Sequence, residues 1–167
     1  MEKHPAGKKK AVFSAAVLSA ALLAADQLTK YLAVRYLKGA EDIILIPGVF
    51  QLSYLENTGA AWGMFGGMQW VFLLLTALII AGVCYLWHKV PFERKYRAFR
   101  ILSAIFLAGA VGNAIDRLFR GYVVDFFYFS LINFPVFNVA DCYVTVSLVL
   151  LLIIYRNEDF SWMNKKS

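Results

Sequence analysis

Histidine is nearly missing from this 167-residue chain: it occurs only as His4 and His88. Both fall in charged flanks between the apolar runs, and no HExxH is present, so serine–histidine and histidine–metal mechanisms are excluded. Cysteine is equally scarce, and Cys84 and Cys142 each sit inside an apolar run, which rules out a disulfide framework and a CxxC metal or redox motif. Charge is thin too, at 17% of residues, against about 25% in soluble globular chains. What fills the space is hydrophobic: 60% of the residues, with a mean hydropathy of +0.61. That balance excludes a disordered chain and points to a bilayer as the solvent.

Charge-poor stretches recur at Ala11–Val34, Trp70–Trp87, Ile101–Phe119 and Val136–Tyr155. Each comes close to the roughly 20 residues that span a hydrocarbon core about 30 Å thick, so each is predicted to be a transmembrane helix. All four prolines, Pro5, Pro47, Pro91 and Pro135, lie outside these stretches, where helices end. Lys8-Lys9-Lys10 before the first stretch also fits a cleavable signal peptide, but three further hydrophobic stretches favour a retained helix. The expected fold is an all-α membrane protein, a four-helix bundle forming a single polytopic domain over residues 1–167, with a β-rich extracytoplasmic insertion at about 38–69. Within that insertion Val49–Glu56 partly alternates apolar and polar residues after Pro47-Gly48, as an interfacial strand would.

Lysine and arginine concentrate at the N-terminus (Lys3, Lys8, Lys9, Lys10), in the middle loop (Lys89, Arg94, Lys95, Arg97, Arg100) and at the C-terminus (Arg156, Lys165, Lys166). Short positively charged loops stay cytoplasmic, so both termini are expected inside. The net charge of +6 then reflects topology and attraction to lipid headgroups, and nucleic acid is not an expected partner. Trp62, Trp70, Trp87 and Trp162 read as interface anchors at span ends.

Acidic residues break this pattern. Asp26, Asp116 and Asp141 interrupt spans, and Asp125 lies in the short loop between the third and fourth. At 1.5 Å per residue, the first three lie about 22–24 Å from the cytoplasmic charges of their own helices, a common level near the outer edge of the hydrocarbon. Their companions follow helical spacing: Lys30 after Asp26, Asn113 before Asp116 and Arg117, Asn138 before Asp141. Aspartates at helix ends also occur as solvated i,i+4 pairs, Asp26 with Lys30 and Asp116 with Arg120. Four acids and three asparagines at one depth, however, are costly enough to mark a site. Gly109 and Gly112 beside them allow a second helix to approach closely.

Carboxylates alone support two kinds of function. Two adjacent aspartates cannot both ionise readily, so one holds a proton while the other takes one from water, which suffices to hydrolyse an amide without metal or cofactor. Alternatively, the acids are a proton or ion pathway, although the inner halves of the first, third and fourth spans carry no formal charge. Cys142 reads as a small packing residue. Arg117 has two readings, a planar donor to a carboxylate or a substrate carbonyl, or a side chain snorkelling to the interface. Asn57-Thr58-Gly59 is either an ordinary turn or a polar loop dipping toward the acids.

Taken together, Asp26-Gln27-Leu28-Thr29-Lys30, Asn57-Thr58-Gly59-Ala60-Ala61, Gly112-Asn113-Ala114-Ile115-Asp116-Arg117, Val124-Asp125-Phe126 and Phe137-Asn138-Val139-Ala140-Asp141 resemble the ordered motifs of the lipoprotein signal peptidases, or signal peptidase II. The resemblance implies an aspartic endopeptidase of the bacterial cytoplasmic membrane that cuts prolipoproteins just before a diacylglyceryl-modified cysteine, with its site near the outer face. It further implies Asp125 and Asp141 as the catalytic pair, and Asn57, Gly59, Asn113, Arg117 and Asn138 around the site. Asp26, Lys30 and Asp116 become structural or substrate-positioning neighbours. Neither metal nor cofactor is implied. Membrane lipids and the cyclic peptide globomycin are implied partners, and a monomer is the expected state. Ala108-Gly109-Ala110 stands where the family often has Gly-Gly-Ala, and Cys142 where serine is frequent.

Overall fold

The computed structural model describes residues 5–60 and 64–158. Four helices carry most of the chain: α1 (Pro5–Tyr36), α2 (Gln69–Lys89), α3 (Arg97–Arg120) and α4 (Val139–Tyr155). Three segments are long and apolar enough to cross a membrane, Gly7–Tyr36, Gln69–Lys89 and Arg94–Arg120. The 17 residues of α4 reach about 26 Å at 1.5 Å per residue, a little short of a full hydrocarbon core. Trp62 and Trp162, expected as anchors, and Lys3, Lys165 and Lys166, used for the charge pattern, lie outside the described residues.

The helices turn their apolar side chains outward. No residue of α2 is buried, and Leu74, Leu78 and Ile79 of α2 and Leu152, Ile153 and Ile154 of α4 are exposed. In water this would be untenable. In lipid it is the cheap arrangement, because hydrocarbon solvates leucine as well as a protein core does. The interior instead holds Asp26, Lys30, Ser103, Asp116, Asp125, Asn138 and Ser147. Helix α3 is the hub: Ala104, Ala108, Gly112 and Asp116 form a buried stripe at i,i+4 spacing, and the small residues let neighbours close in. A Cβ on Gly109 would strike the Ala140 carbonyl of α4, and one on Gly112 would lie 2.5 Å from Asp26 Oδ2 of α1.

Three antiparallel strands, β1 (Ile43–Ile46), β2 (Phe50–Asn57) and β3 (Val123–Tyr128), form a sheet in the order β1-β2-β3. This corrects the expected placement of the cradle. It does not belong to the loop between the first two helices alone, because its third strand comes from the loop before α4. Val123-Val124-Asp125-Phe126-Phe127-Tyr128 is β-branched and aromatic, and its pairing with β2 satisfies a backbone that would otherwise meet lipid. Leu55 pairs with Asp125 and Asn57 with Val123, while the register shifts between Leu52 and Leu55. The sheet sits on the end of α1 through a small apolar core of Ala33, Leu37, Val124 and Phe126. Gly121 lets α3 stop: at φ +80° it closes the helix in the left-handed conformation that glycine adopts without steric cost, and β3 starts two residues later.

Candidate active site

Asn138 is the pivot of the acidic cluster. Its side chain accepts from the Asp141 backbone N–H at 3.0 Å, and its own backbone N–H donates to Asp141 Oδ2 at 3.0 Å. This reciprocal capping box fixes the start of α4, which is why the helix begins at Val139 and not at the expected Val136. The spare amide hydrogens of Asn138 reach across to β3 and α3, donating to Asp125 Oδ1 at 2.6 Å and Asn113 Oδ1 at 3.2 Å. A single residue therefore ties the two carboxyls together, Asp125 through its side-chain amide and Asp141 through its backbone N–H.

Each carboxyl has a second asparagine. Asn57, at the end of β2, donates to Asp125 Oδ2 at 2.9 Å, and Asn113 of α3 donates to Asp141 Oδ1 at 2.7 Å. Asn57 Oδ1 also accepts from the Gly59 N–H at 2.9 Å. The Asn-x-Gly turn is thereby tight, and it aims its amide at the acid. Asp125 is 2% exposed. Burial and the neighbouring Asp141 charge push its pKa up to about 7 against the donors on Asn57 and Asn138, so at neutral pH the pair readily carries a proton.

Beneath the pair lies a closed charge lattice. Lys30 is fully buried, and its Nζ lies 3.1 Å from Asp26 Oδ2, 3.1 Å from Asp116 Oδ2 and 2.8 Å from Asn113 Oδ1. Asp26 Oδ1 accepts from the Ala140 N–H at 3.0 Å, and Asp116 Oδ2 from the Val124 N–H at 3.1 Å. Asp116 Oδ1 faces Arg120 Nε at 3.3 Å, with Arg120 itself only partly exposed. The Asp26–Lys30 pair is thus not the solvated surface pair that spacing also allowed. It joins α1, α3, α4 and β3, and it fixes which end of the Asn113 amide faces Asp141.

Arg117 does not snorkel outward. Its Nη2 donates to the Gly59 carbonyl at 3.1 Å, and its guanidinium lies 4.9 Å over the Phe72 ring of α2. Its Nε is buried and has no hydrogen-bond partner among the described residues. Asn57, Gly59, Asn113, Arg117, Asp125 and Asp141 all line one cavity of about 390 Å³. The rest of the lining, which sequence reasoning missed, is mostly apolar: Phe134, Pro135, Val136, Phe137 and Val146, with the hydroxyl of Thr145 among them. Such residues carry no chemical signature in a chain where most positions are apolar. Cys142, read as packing, also lines the cavity. Gln27, another omission, bridges Asp26 Oδ2 and the Gly112 carbonyl at 3.1 and 3.2 Å. Among the described residues no group of His, Cys, Asp and Glu is placed to hold a metal ion.

Known proteins share this arrangement of sequence. Residues 18–156 match the family model described as signal peptidase (SPase) II. The chain belongs to the signal peptidase II family. Members of that family are peptidases, and the apolar helices agree with a multi-pass membrane protein. The lipoprotein signal peptidase of Brevibacillus brevis is 44% identical over 128 residues, 77% of this chain and 85% of the relative. That of Anoxybacillus flavithermus is 40% identical over 144 residues, 84% of this chain and 80% of the relative. A solved bacterial membrane enzyme superposes with a TM-score of 0.76 at 27% identity, covering 93% of this chain and 95% of its own.

Proposed function

We propose that this signal peptidase II removes the signal peptide from prolipoproteins by cutting the bond N-terminal to a diacylglyceryl-modified cysteine, with Asp125 and Asp141 acting as an aspartic dyad. The observation that carries the reading is Asn138, which hydrogen-bonds both carboxyls at the wall of one cavity. A water between the two carboxyls gives a proton to the ionised member as it attacks the scissile carbonyl. The protonated member then supplies a proton to the leaving amine. Asn57, Asn113 and Asn138 hold the carboxyls in place and leave the remaining lone pairs for water and substrate.

Arg117 binds the substrate backbone with the donors that Gly59 leaves free, and the apolar wall at Phe134–Phe137 and Val146 receives the apolar residues and lipid next to the cut. Asp26, Lys30 and Asp116 support the site from below. In this reading α4 is a fourth span, and the chain is one polytopic domain of the bacterial cytoplasmic membrane with both termini cytoplasmic and the cavity near the outer face. It works as a monomer among membrane lipids and is a target of globomycin.

The test is cleavage of a diacylglyceryl-modified precursor by purified protein, with and without globomycin. Asp125→Asn or Asp141→Asn should reduce turnover by at least about a thousandfold, as loss of a catalytic group does, while the protein still inserts. Wild-type turnover in either variant overturns the dyad. Proton or ion flux without cleavage would support the transport alternative.

A further inference from the structure

At the far end of the bundle from the acidic cluster, a second cleft of about 260 Å³ opens between the N-terminal half of α1 and the first turns of α3. Ala11, Ser14, Ala15 and Leu18 form its α1 wall, spaced i, i+3, i+4, i+7 along a single helix face. Three of these side chains are too small to fill the space. Across from them stand Arg97 and Arg100, and among the described residues no acidic side chain lines the cleft.

The two arginines differ in state. Arg100 donates to the Pro91 and Glu93 carbonyls at 3.2 and 2.8 Å and lies 4.6 Å over the Phe92 ring. Those two bonds use two of the five N–H donors of a guanidinium and hold it in one place. Arg97 is exposed, and among the described residues its side chain makes no hydrogen bond or ion pair. Nearby acids offer little compensation, since Glu158 is already bonded to Lys95 and Tyr96 at 2.8 and 2.6 Å. Lys8, Lys9 and Lys10 are exposed just before the cleft.

We propose that this cleft binds one anionic phospholipid, its phosphate held by Arg97 and Arg100 and one acyl chain laid along the Ala11–Leu18 face. Charge complementarity selects the headgroup, because two cations that pair with no acid among the described residues line the cleft. The floor selects the chain. It lies on a helix long enough to span a membrane, so hydrocarbon is the medium beside it, and an unfilled void there forfeits the dispersion contacts a chain restores. The site is remote from Asp125 and Asp141 and is independent of the cleavage reading.

The test measures binding of phosphatidylglycerol and phosphatidylcholine to the full-length protein in detergent micelles, by native mass spectrometry. The wild type should prefer phosphatidylglycerol, and Arg97→Gln should weaken that lipid about fivefold, equivalent to about 1 kcal/mol for one cation near an anionic headgroup. Ser14→Leu, which fills the cleft without changing charge, should weaken it as well. Lys8→Gln with Lys9→Gln should cost less than Arg97→Gln alone. The proposal is overturned if the wild type shows no preference, if the two lysine substitutions cost as much as Arg97→Gln, or if millimolar inorganic phosphate displaces the lipid. Because the Arg97 side chain is exposed and bonds to no other described residue, a folding defect is not expected to obscure the result.

Discussion

Replacing Lys30 by methionine keeps the length and apolar stem of the side chain and removes only the ammonium. The structure makes the cost calculable. Lys30 is fully buried and neutralises two fully buried carboxylates, Asp26 and Asp116, each at 3.1 Å, so its loss leaves both without their shared cation. Arg120 remains 3.3 Å from Asp116, but among the described residues no other cation is bonded to Asp26. Removing one partner of a buried pair costs about 3–5 kcal/mol, because the remaining charge stays desolvated. For a chain of this size each kcal/mol shifts the melting midpoint by about 2–4 °C, so Lys30→Met should melt roughly 10 °C or more below wild type in detergent. A second change isolates the cause. Adding Asp116→Asn to Lys30→Met should recover part of the loss, since a neutral amide no longer needs the cation, and the double-mutant cycle should give a coupling of at least about 1 kcal/mol. Cleavage should fall beyond what stability explains, because Lys30 also bonds Asn113 Oδ1, whose other end holds Asp141. Melting within 2 °C of wild type, or no coupling with Asp116→Asn, would refute the argument.

Gly112→Ala adds one methyl that would lie 2.5 Å from Asp26 Oδ2; it should destabilise by about 1–3 kcal/mol as overpacking and lower cleavage, checked by melting and turnover together, whereas Gly82→Ala, with open space around it, should do neither. Arg117→Lys keeps the charge but loses the planar contact with Gly59 and Phe72, and kcat/KM for the lipidated precursor should fall about tenfold or more; an unchanged value would mean the guanidinium only packs. The raised pKa of Asp125, about 7, makes stability depend on pH. The folded state binds the proton more tightly than the unfolded chain, so the contribution of Asp125 to stability decreases as pH rises from about 4 to about 7 and is constant on either side. Asp125→Asn removes that penalty, and at pH 8 it should be more stable than wild type by on the order of 2–4 kcal/mol, with the gap closing near pH 4. By the same titration, turnover should decline as pH rises through about 7, where the pair loses its shared proton.

The helices and the acidic cluster were legible because both are exceptions against a uniform background. Long apolar runs can be counted, and an aspartate among them has a cost that only a partner or a function offsets. The helical spacing of Asp26 with Lys30 placed that pair on a common face, and it bonds; Asn138 and Asp141 bond too, but as a capping box in which Asn138 stands extended just before α4, not on its face. The sheet was legible only in part. Phe50–Asn57 shows partial alternation, but Ile43–Ile46 is a continuous apolar run and Val123–Tyr128 is apolar or aromatic apart from Asp125, and a short apolar run does not declare itself strand or helix. Nothing local says that Asp125 and Asn57 will meet across two strands. That contact depends on pairing two loops separated by two helices.

The same reasoning explains why the polar lattice lies where it does. In water, burying Asp26, Lys30 and Asp116 would compete with a hydrophobic interior that does more for stability. In lipid, leucine gains little by moving from hydrocarbon into protein, so helix association must draw on close packing and on polar bonds that lipid cannot supply. The lattice bonds α1 to α3 and α4 and holds β3 at Val124, one residue before Asp125. The groups that assemble the bundle are therefore the groups that set the position of the two carboxyls. Substitutions in the lattice should accordingly separate poorly into stability and activity effects, while those on the apolar cavity wall, such as Val146, should alter substrate preference with little change in melting.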